Sequence, residues 1–530
     1  MGVLERGGNA FDAACAAGFV LQVVEPHLNG PGGDLPAVFW PAEAGAPLVL
    51  CAQGVSPQAA TIQRFRSLGH DLVPGTGLLA ACVPGSFGGW LLLLEQFGTW
   101  RLEDVLPYAI GYADDGYPVV PAIEATIRNV EPLLRGWPGS AELYLPPPRA
   151  GQTFRNRTLA ATWRRLLDEA RGGSREDEIE RARRVYYEGF VAEEIDRFSR
   201  AEGGLLTGED LGAWRATLEP PATVDYRGLT VCTTAAWGQG PAGLQQLMLL
   251  EEIDVAALGE AELVHVLTEA AKLAFADRDA NYGDVGVPLD RLLSPEYAAE
   301  RRQLIGHDAS SELRPGLGRL PALVSEDGLL LGAGEPTRGD TVHLDVADRF
   351  GNLVSATPSG GWLQSSPTIP ALGWPLGTRA QMFWLEEGLS SSLAPGTRPR
   401  TTLSPGLVLR DGEPWLAYGT PGGDQQEQWA LHALVRHVDR GLDLQAAIDA
   451  PEWHTDHLIS SFYPRGFEPR SLTVEDRFGD EVVADLRARG HDVTVAPPWS
   501  LGRVSAVARD GDQLKAAANP RGMQGYAVCR

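Results

Sequence analysis

The run Gly339-Asp340-Thr341, which opens the alternating stretch Thr341-Val342-His343-Leu344-Asp345-Val346, constrains this chain more than any other feature. Alternation with period two reads as a half-buried strand. The cluster Asp348-Arg349-Phe350-Gly351-Asn352 that follows reads as a bend, and Leu353-Val354-Ser355-Ala356-Thr357-Pro358-Ser359 as the returning arm of a hairpin. Folding about that bend brings residues 357–359 beside Thr341, where the hydroxyl of Ser359 or of Thr357 can orient the Thr341 hydroxyl. Ahead of the hairpin, residues 311–340 hold several glycines and prolines and read as a long exposed loop.

A cut between Asp340 and Thr341 would give Thr341 a free α-amine next to its hydroxyl. The hydroxyl is then a nucleophile and the amine its base, the arrangement by which an N-terminal threonine performs covalent catalysis. Further on, Arg400-Thr401-Thr402-Leu403-Ser404-Pro405 precedes a strand-like run at Gly406-Leu407-Val408-Leu409, and Gly419-Thr420-Pro421-Gly422-Gly423-Asp424 lies beyond it. A Pro-Gly-Gly turn can aim successive backbone N–H groups at one point, which an oxyanion hole requires.

Together with Gly7-Gly8-Asn9-Ala10, Asn29-Gly30-Pro31-Gly32-Gly33-Asp34, Val83-Pro84-Gly85-Ser86, Tyr226-Arg227-Gly228 and the box from Glu269 to Arg278, these residues resemble the γ-glutamyltranspeptidase family of N-terminal-nucleophile hydrolases. The likeness runs nearly end to end. It implies an α+β chain with a four-layer αββα fold, made of a large-subunit segment 1–340 and a small-subunit segment 341–530 that interlock and are cleaved between Asp340 and Thr341. By the same resemblance Thr341 is the nucleophile and Ser359 its supporting hydroxyl. Thr401 and Thr402 stand at a paired-serine position, and Gly422 and Gly423 form the oxyanion hole. The two segments are expected to stay associated as a heterodimer, with further dimerisation left open, and no cofactor is implied.

Three departures bear on the substrate. The family holds the α-amino acid end of a glutamyl group with an arginine and an aspartate. Here the arginine falls on Gln53, the aspartate on Met382, and a substrate-binding asparagine on Gly361. A neutral amide cannot replace a guanidinium–carboxylate fork, and a thioether gives an ammonium no countercharge. Trp362, Trp374, Phe383 and Trp384 fall in the segment with which the family walls its pocket, and Arg379 is that segment's one cation. An apolar or flat acyl group would suit the aromatic residues, and Arg379 can receive a substrate carboxylate. The expected activity is therefore amide hydrolysis on an acyl group other than γ-glutamyl. A genuine γ-glutamyltransferase acting on glutathione and a non-catalytic binding protein are the rival readings.

Composition narrows the partners. The 45 basic and 69 acidic residues leave a net charge of −24, which repels nucleic acid and anionic membranes; the partner that the resemblance implies is a small-molecule amide. The five cysteines lack a Cys-x-x-Cys spacing and are expected as buried thiols. No metal site is expected, because only His454 and His457 are close in sequence and zinc needs three or four ligands. The apolar stretch 13–24 is shorter than the roughly 18 residues of a membrane span and is expected as a buried helix capped by Asn9. Without a visible signal peptide the chain is expected in the cytoplasm, although the resemblance implies a strand ahead of Met1, which leaves the natural start open. Helices are expected within 155–217 as a solvated layer, over 262–280, and as one unit over 427–449.

Overall fold

The hairpin forms in antiparallel register, with strand Leu344–Ala347 facing strand Leu353–Ala356 through the pairs Leu344 with Ala356 and Val346 with Val354. The computed structural model describes residues 1–323, 340–521 and 525–529, so most of the loop expected over 311–340 lies outside the described residues. The bend is organised by Asp348. Its Oδ1 accepts the N–H groups of Phe350 and Asn352, and its Oδ2 accepts the side-chain amide of Asn352 and the N–H of Ala10. Ala10 is the first residue of the helix Ala10–Val24. A carboxylate at a helix N-terminus meets unpaired N–H groups and the positive end of the helix dipole. Asn9 completes the expected cap, since its side chain accepts from Phe11 and Asp12 while Asp12 accepts from the Asn9 N–H. This helix packs on both hairpin strands.

The described chain divides into two compact units. The first comprises Met1–Pro220, the described part of 337–385, and Leu393–Pro399. Its five-stranded sheet runs Thr217–Glu219, Leu48–Ala52, Leu35–Trp40, Leu353–Ala356, Leu344–Ala347, and every neighbouring pair is antiparallel. Leu35–Trp40 is central and buried along its whole length, as its run of six apolar residues demands. The helices Arg157–Ala170, Arg175–Tyr187 and Phe190–Ala201 are solvated on one face only. Their inner residues Trp163, Tyr186 and Ile195 are buried, and the Phe87 ring stacks on those of Trp163 and Tyr186 at 5.5 and 4.4 Å.

The second unit comprises the described parts of 221–336 and 400–530 with Glu386–Ser392. Its six-stranded antiparallel sheet runs Gln513–Ala518, Ser505–Asp510, Glu413–Gly419, Gly406–Arg410, Leu229–Thr233, Ala222–Tyr226. The helix Glu260–Asn281 contains the expected 262–280 segment. The single helix expected over 427–449 is two, Gln426–Val438 and Leu444–Asp449. Gly441 takes a φ of +68°, and the Leu442 N–H bonds back to the Arg436 carbonyl, so the chain turns out of the first helix as glycine-terminated helices do.

Each unit thus supplies a sheet with helices packed on it, as the α+β class requires. Among the described residues no helix is long and apolar enough to cross a membrane. The five cysteines are free thiols; Cys15, Cys51, Cys82 and Cys232 are buried as expected, and Cys529 is exposed.

The segment before strand Leu35–Trp40 positions the hairpin. Asp34 and Ser359 exchange backbone hydrogen bonds of 2.8 and 3.1 Å, and Gly33 lies against the same stretch. A Cβ on Gly33 would sit 2.6 Å from the Gly360 carbonyl oxygen and closer still to that of Ser359. Gly33→Ala is therefore expected to lose about 1–3 kcal/mol to overpacking, read as a lower denaturation midpoint.

Candidate active site

In the first unit, Thr341 sits at the mouth of the hairpin and forms an isolated antiparallel bridge with Ser359. Both are buried. The Thr341 hydroxyl donates to Ser359 Oγ at 3.3 Å, long for a hydroxyl pair, as hydrogen bonds in unliganded sites often are. Ser359 Oγ in turn donates to the Asp340 carbonyl oxygen at 2.9 Å. The Asp340 side chain accepts the Thr341 N–H at 2.8 Å. Of the two hydroxyls considered from sequence, Ser359 is the one on the nucleophile. Thr357 is instead engaged with His343 Nδ1 at 2.8 Å, and His343 Nε2 is engaged with Asp345 at 2.9 Å.

Arg379 belongs to the same unit, in the short turn Arg379–Met382. Its Nε and Nη2 form a fork on Asp34 at 2.9 and 3.0 Å. Its third nitrogen, Nη1, is buried and has no hydrogen-bond partner among the described residues. The guanidinium carbon lies 5.4 Å from the centroid of the Trp362 ring, within cation–π range. Burial is the largest influence on the Asp34 carboxyl and raises its pKa, with Arg379 pulling the other way. Gln53 is close enough to help hold Asp34 ionised, although neither of its amide atoms makes a hydrogen bond of ordinary geometry. Met382 is fully buried, and Gly361 takes a φ of +64° against Gly32 and Gly33.

Arg379, the lone cation of its segment in sequence, has Asp34 as its countercharge, a pairing no local pattern announces. The two are 345 residues apart, and only the turn-rich Gly30-Pro31-Gly32-Gly33 run hinted that Asp34 comes close to another strand.

The second unit carries the other residues. Gly422 and Gly423 have φ of +134° and +59°, values that side-chain-bearing residues rarely adopt, and a Cβ on Gly422 would also strike the Trp429 ring. Thr420 Oγ1 donates to the Pro421 carbonyl at 2.7 Å, and the Gln425 N–H donates to the Gly422 carbonyl at 3.1 Å. A peptide unit is planar with its N–H opposed to its C=O, so pinning these carbonyls fixes where the N–H groups of Gly422 and Gly423 point. Asp424 anchors the turn through Arg278 and Ser461. Thr401 donates its N–H to Trp237, and the buried hydroxyls of Thr401 and Thr402 have no partner among the described residues.

One cluster in this unit has the composition of a metal site. Ligand atoms of His265, Glu269 and His491 lie within 4.8 Å of one another, a grouping the sequence did not suggest. Both imidazoles are shifted towards the neutral form, His491 down to about 3, chiefly by burial. Glu269, however, is already paired with Lys272 at 2.6 Å and with Arg314 at 3.2 Å. A divalent cation would add charge beside two cations that the single carboxylate already serves. His454 and His457, the pair noted from sequence, lie at the end of the short strand Trp453–His454 and in the loop after it.

Comparison with known proteins gives a consistent picture. The profile of the family described as gamma-glutamyltranspeptidase matches residues 1–529. A "Glutathione hydrolase-like YwrD proenzyme" of Bacillus subtilis (strain 168) is 32% identical over 540 residues, covering 99% of this chain and 95% of the relative. An "Oxamate amidohydrolase proenzyme" of Klebsiella pneumoniae subsp. pneumoniae is 32% identical over 542 residues, covering 98% and 94%. Among solved structures, that of LmbA2991HD superposes with a TM-score of 0.94 at 55% identity, over 100% of this chain and 96% of that one.

The buried fork between Asp34 and Arg379 yields a test. Asp34→Asn removes one charge and leaves the guanidinium uncompensated, which typically costs about 3–5 kcal/mol. Denaturant unfolding of the variant should show a loss in that range.

Proposed function

The chain belongs to the γ-glutamyltranspeptidase family of autocatalytically processed N-terminal-nucleophile hydrolases, and from that premise we propose that it cleaves its own Asp340–Thr341 bond and then uses Thr341 to hydrolyse amides of an acyl group other than γ-glutamyl. The observation that carries the nucleophile is the hydrogen bond from the Thr341 hydroxyl to Ser359 Oγ at the mouth of the hairpin. After cleavage the Thr341 amine takes the hydroxyl proton, the oxygen attacks the substrate amide carbon, and an ester forms on Thr341 as the amine product leaves. The resemblance to the family assigns the oxyanion of this step to Gly422 and Gly423, whose peptide planes are pinned within their own turn. Water, or an acceptor amine, then resolves the ester. As an enzyme of this family, the chain no longer fits the reading as a non-catalytic binding protein.

The proposed acyl group is one that ends in a carboxylate. Arg379 Nη1 is a buried cationic donor without a partner among the described residues, and the amide of Gln53, close to Asp34 but without a hydrogen bond of ordinary geometry among the described residues, adds neutral hydrogen-bonding capacity. The buried Met382 and the bare Gly361 offer nothing to an α-ammonium group. A relative named for oxamate, an amide whose acyl carbon carries a carboxylate, supports this choice. The second reading, a true γ-glutamyltransferase, is favoured by the relative named as glutathione hydrolase-like.

We also infer that the two products of cleavage stay together. Strand Leu35–Trp40 pairs with Leu353–Ala356 in one unit, and Leu229–Thr233 pairs with Gly406–Arg410 in the other. Each unit's sheet therefore holds strands from both sides of the cut, and severing one peptide bond leaves their ladders intact.

On a denaturing gel the wild-type protein should give two fragments, the smaller with the N-terminal sequence Thr-Val-His-Leu, and Thr341→Ala should give one uncut chain. Assayed in parallel, oxamate and other N-acyl amides with a terminal carboxylate should turn over well ahead of γ-glutamyl-p-nitroanilide. The reverse order would establish the γ-glutamyl reading.

A further inference from the structure

Two hydrogen bonds converge on the carbonyl oxygen of Asp340, the oxygen of the bond that the proposed self-cleavage breaks. One comes from Ser359 Oγ at 2.9 Å, and the other from the indole Nε1–H of Trp362 at 2.6 Å. We propose that Trp362 is a catalytic residue of maturation, with its indole N–H stabilising the oxygen of the scissile carbonyl as Thr341 attacks. The inference rests on the reading of Thr341 as the self-cleaving nucleophile and adds to it a donor distinct from the Gly422–Gly423 turn assigned to turnover.

The position of Trp362 follows from its surroundings. Gly360 and Gly361 precede it with φ of +79° and +64°, so the chain turns sharply after Ser359 and the Trp362 ring comes back towards Asp340. The ring is buried. Arg379 lies over it at 5.4 Å, and Asp34 holds Arg379 by the two-pronged pair. A donor fixed before the reaction costs no reorganisation as charge develops, which is the condition for effective oxyanion stabilisation. Tryptophan offers a donor only, so it cannot take the proton of the nucleophile and acts purely by holding the oxygen.

Ser359 complements it as a relay. It accepts from the Thr341 hydroxyl and donates to the Asp340 oxygen, so both protons lie along one path. As Thr341 Oγ1 bonds to the Asp340 carbonyl carbon, its proton passes to Ser359 Oγ, and the proton of Ser359 passes to the Asp340 oxygen. The carbonyl π pair becomes the O–H bond of a neutral five-membered ring. Collapse re-forms the carbonyl and breaks the C–N bond, with the ring hydroxyl proton delivered to the Thr341 nitrogen. The result is an ester on Thr341 Oγ1 and a free α-amine. Water then hydrolyses the ester to the Asp340 carboxylate and the Thr341 hydroxyl. Trp362 keeps its proton throughout.

The test is a pulse–chase of the full chain in cell-free translation, with the cleaved fraction followed in wild type, Trp362→Phe, and a variant carrying 3-benzothienylalanine at position 362, whose sulfur replaces the indole N–H in a ring of almost the same shape. Melting temperature and circular dichroism report folding. The expected result is cleavage about 10²–10³-fold slower in both variants, the usual loss on removing one oxyanion donor. If Trp362→Phe fails to fold, the benzothienyl variant decides. Cleavage within a few-fold of wild type by the folded benzothienyl protein would overturn the role of Trp362. Thr341→Ala in the same assay separates the two ideas, because cleavage of that variant would instead refute the nucleophile itself.

Discussion

The site depends on the antiparallel contact between Asp34 and Ser359. Their exchanged backbone hydrogen bonds join the segment leading into strand Leu35–Trp40 to the returning arm of the hairpin, and Thr341 bridges to that same Ser359. Backbone pairing of this kind fixes direction as well as distance, so a single register places the Ser359 hydroxyl between Thr341 and the Asp340 carbonyl. The contact is possible only because Gly33 lets two backbones approach more closely than a Cβ would permit. Further out, Asp348 ties the hairpin bend to the first N–H of the helix Ala10–Val24, so the hairpin is held at both ends.

Buried charge follows the same economy in both units. Asp34 has Arg379, while Glu269 is shared by Lys272 and Arg314. Such pairs contribute little net stability, because the desolvation cost offsets most of the attraction, but losing one partner is severe. Their value here is geometric. A guanidinium with two nitrogens committed to Asp34 cannot rotate, so its third nitrogen, without a partner among the described residues, and its planar face are both fixed, the face set against Trp362. Glu269 shows the converse: a carboxylate that already serves two cations is poorly suited to a metal, despite the two histidines beside it.

Much was legible from the amino-acid pattern because it is local. The hairpin, its bend, the Asn9 cap and the helix at 260–281 each arise from residues within one turn or one strand of each other, and their periodicities of 2 and 3.6 survive without tertiary context. The segment 427–449 departs from its pattern for an equally local reason: the apolar periodicity continues past Gly441, while the backbone turns there and gives two helices. Charge dominates the composition of the layer over 155–217, yet one aromatic stripe through it belongs to the core.

The sequence by itself determined the family, the hairpin that delivers Thr341 to Ser359, and the neutral side chains at Gln53 and Met382, since each is a matter of which residues occur in what order. The tertiary structure alone decided that Arg379 is bound by Asp34 from across the chain, that Thr357 is taken by His343, and that the Trp362 N–H reaches the Asp340 carbonyl. These are relations among side chains brought together by close backbone approach, and composition does not encode which of several equivalent donors and acceptors will meet. That choice is made when the buried groups must all find partners at once.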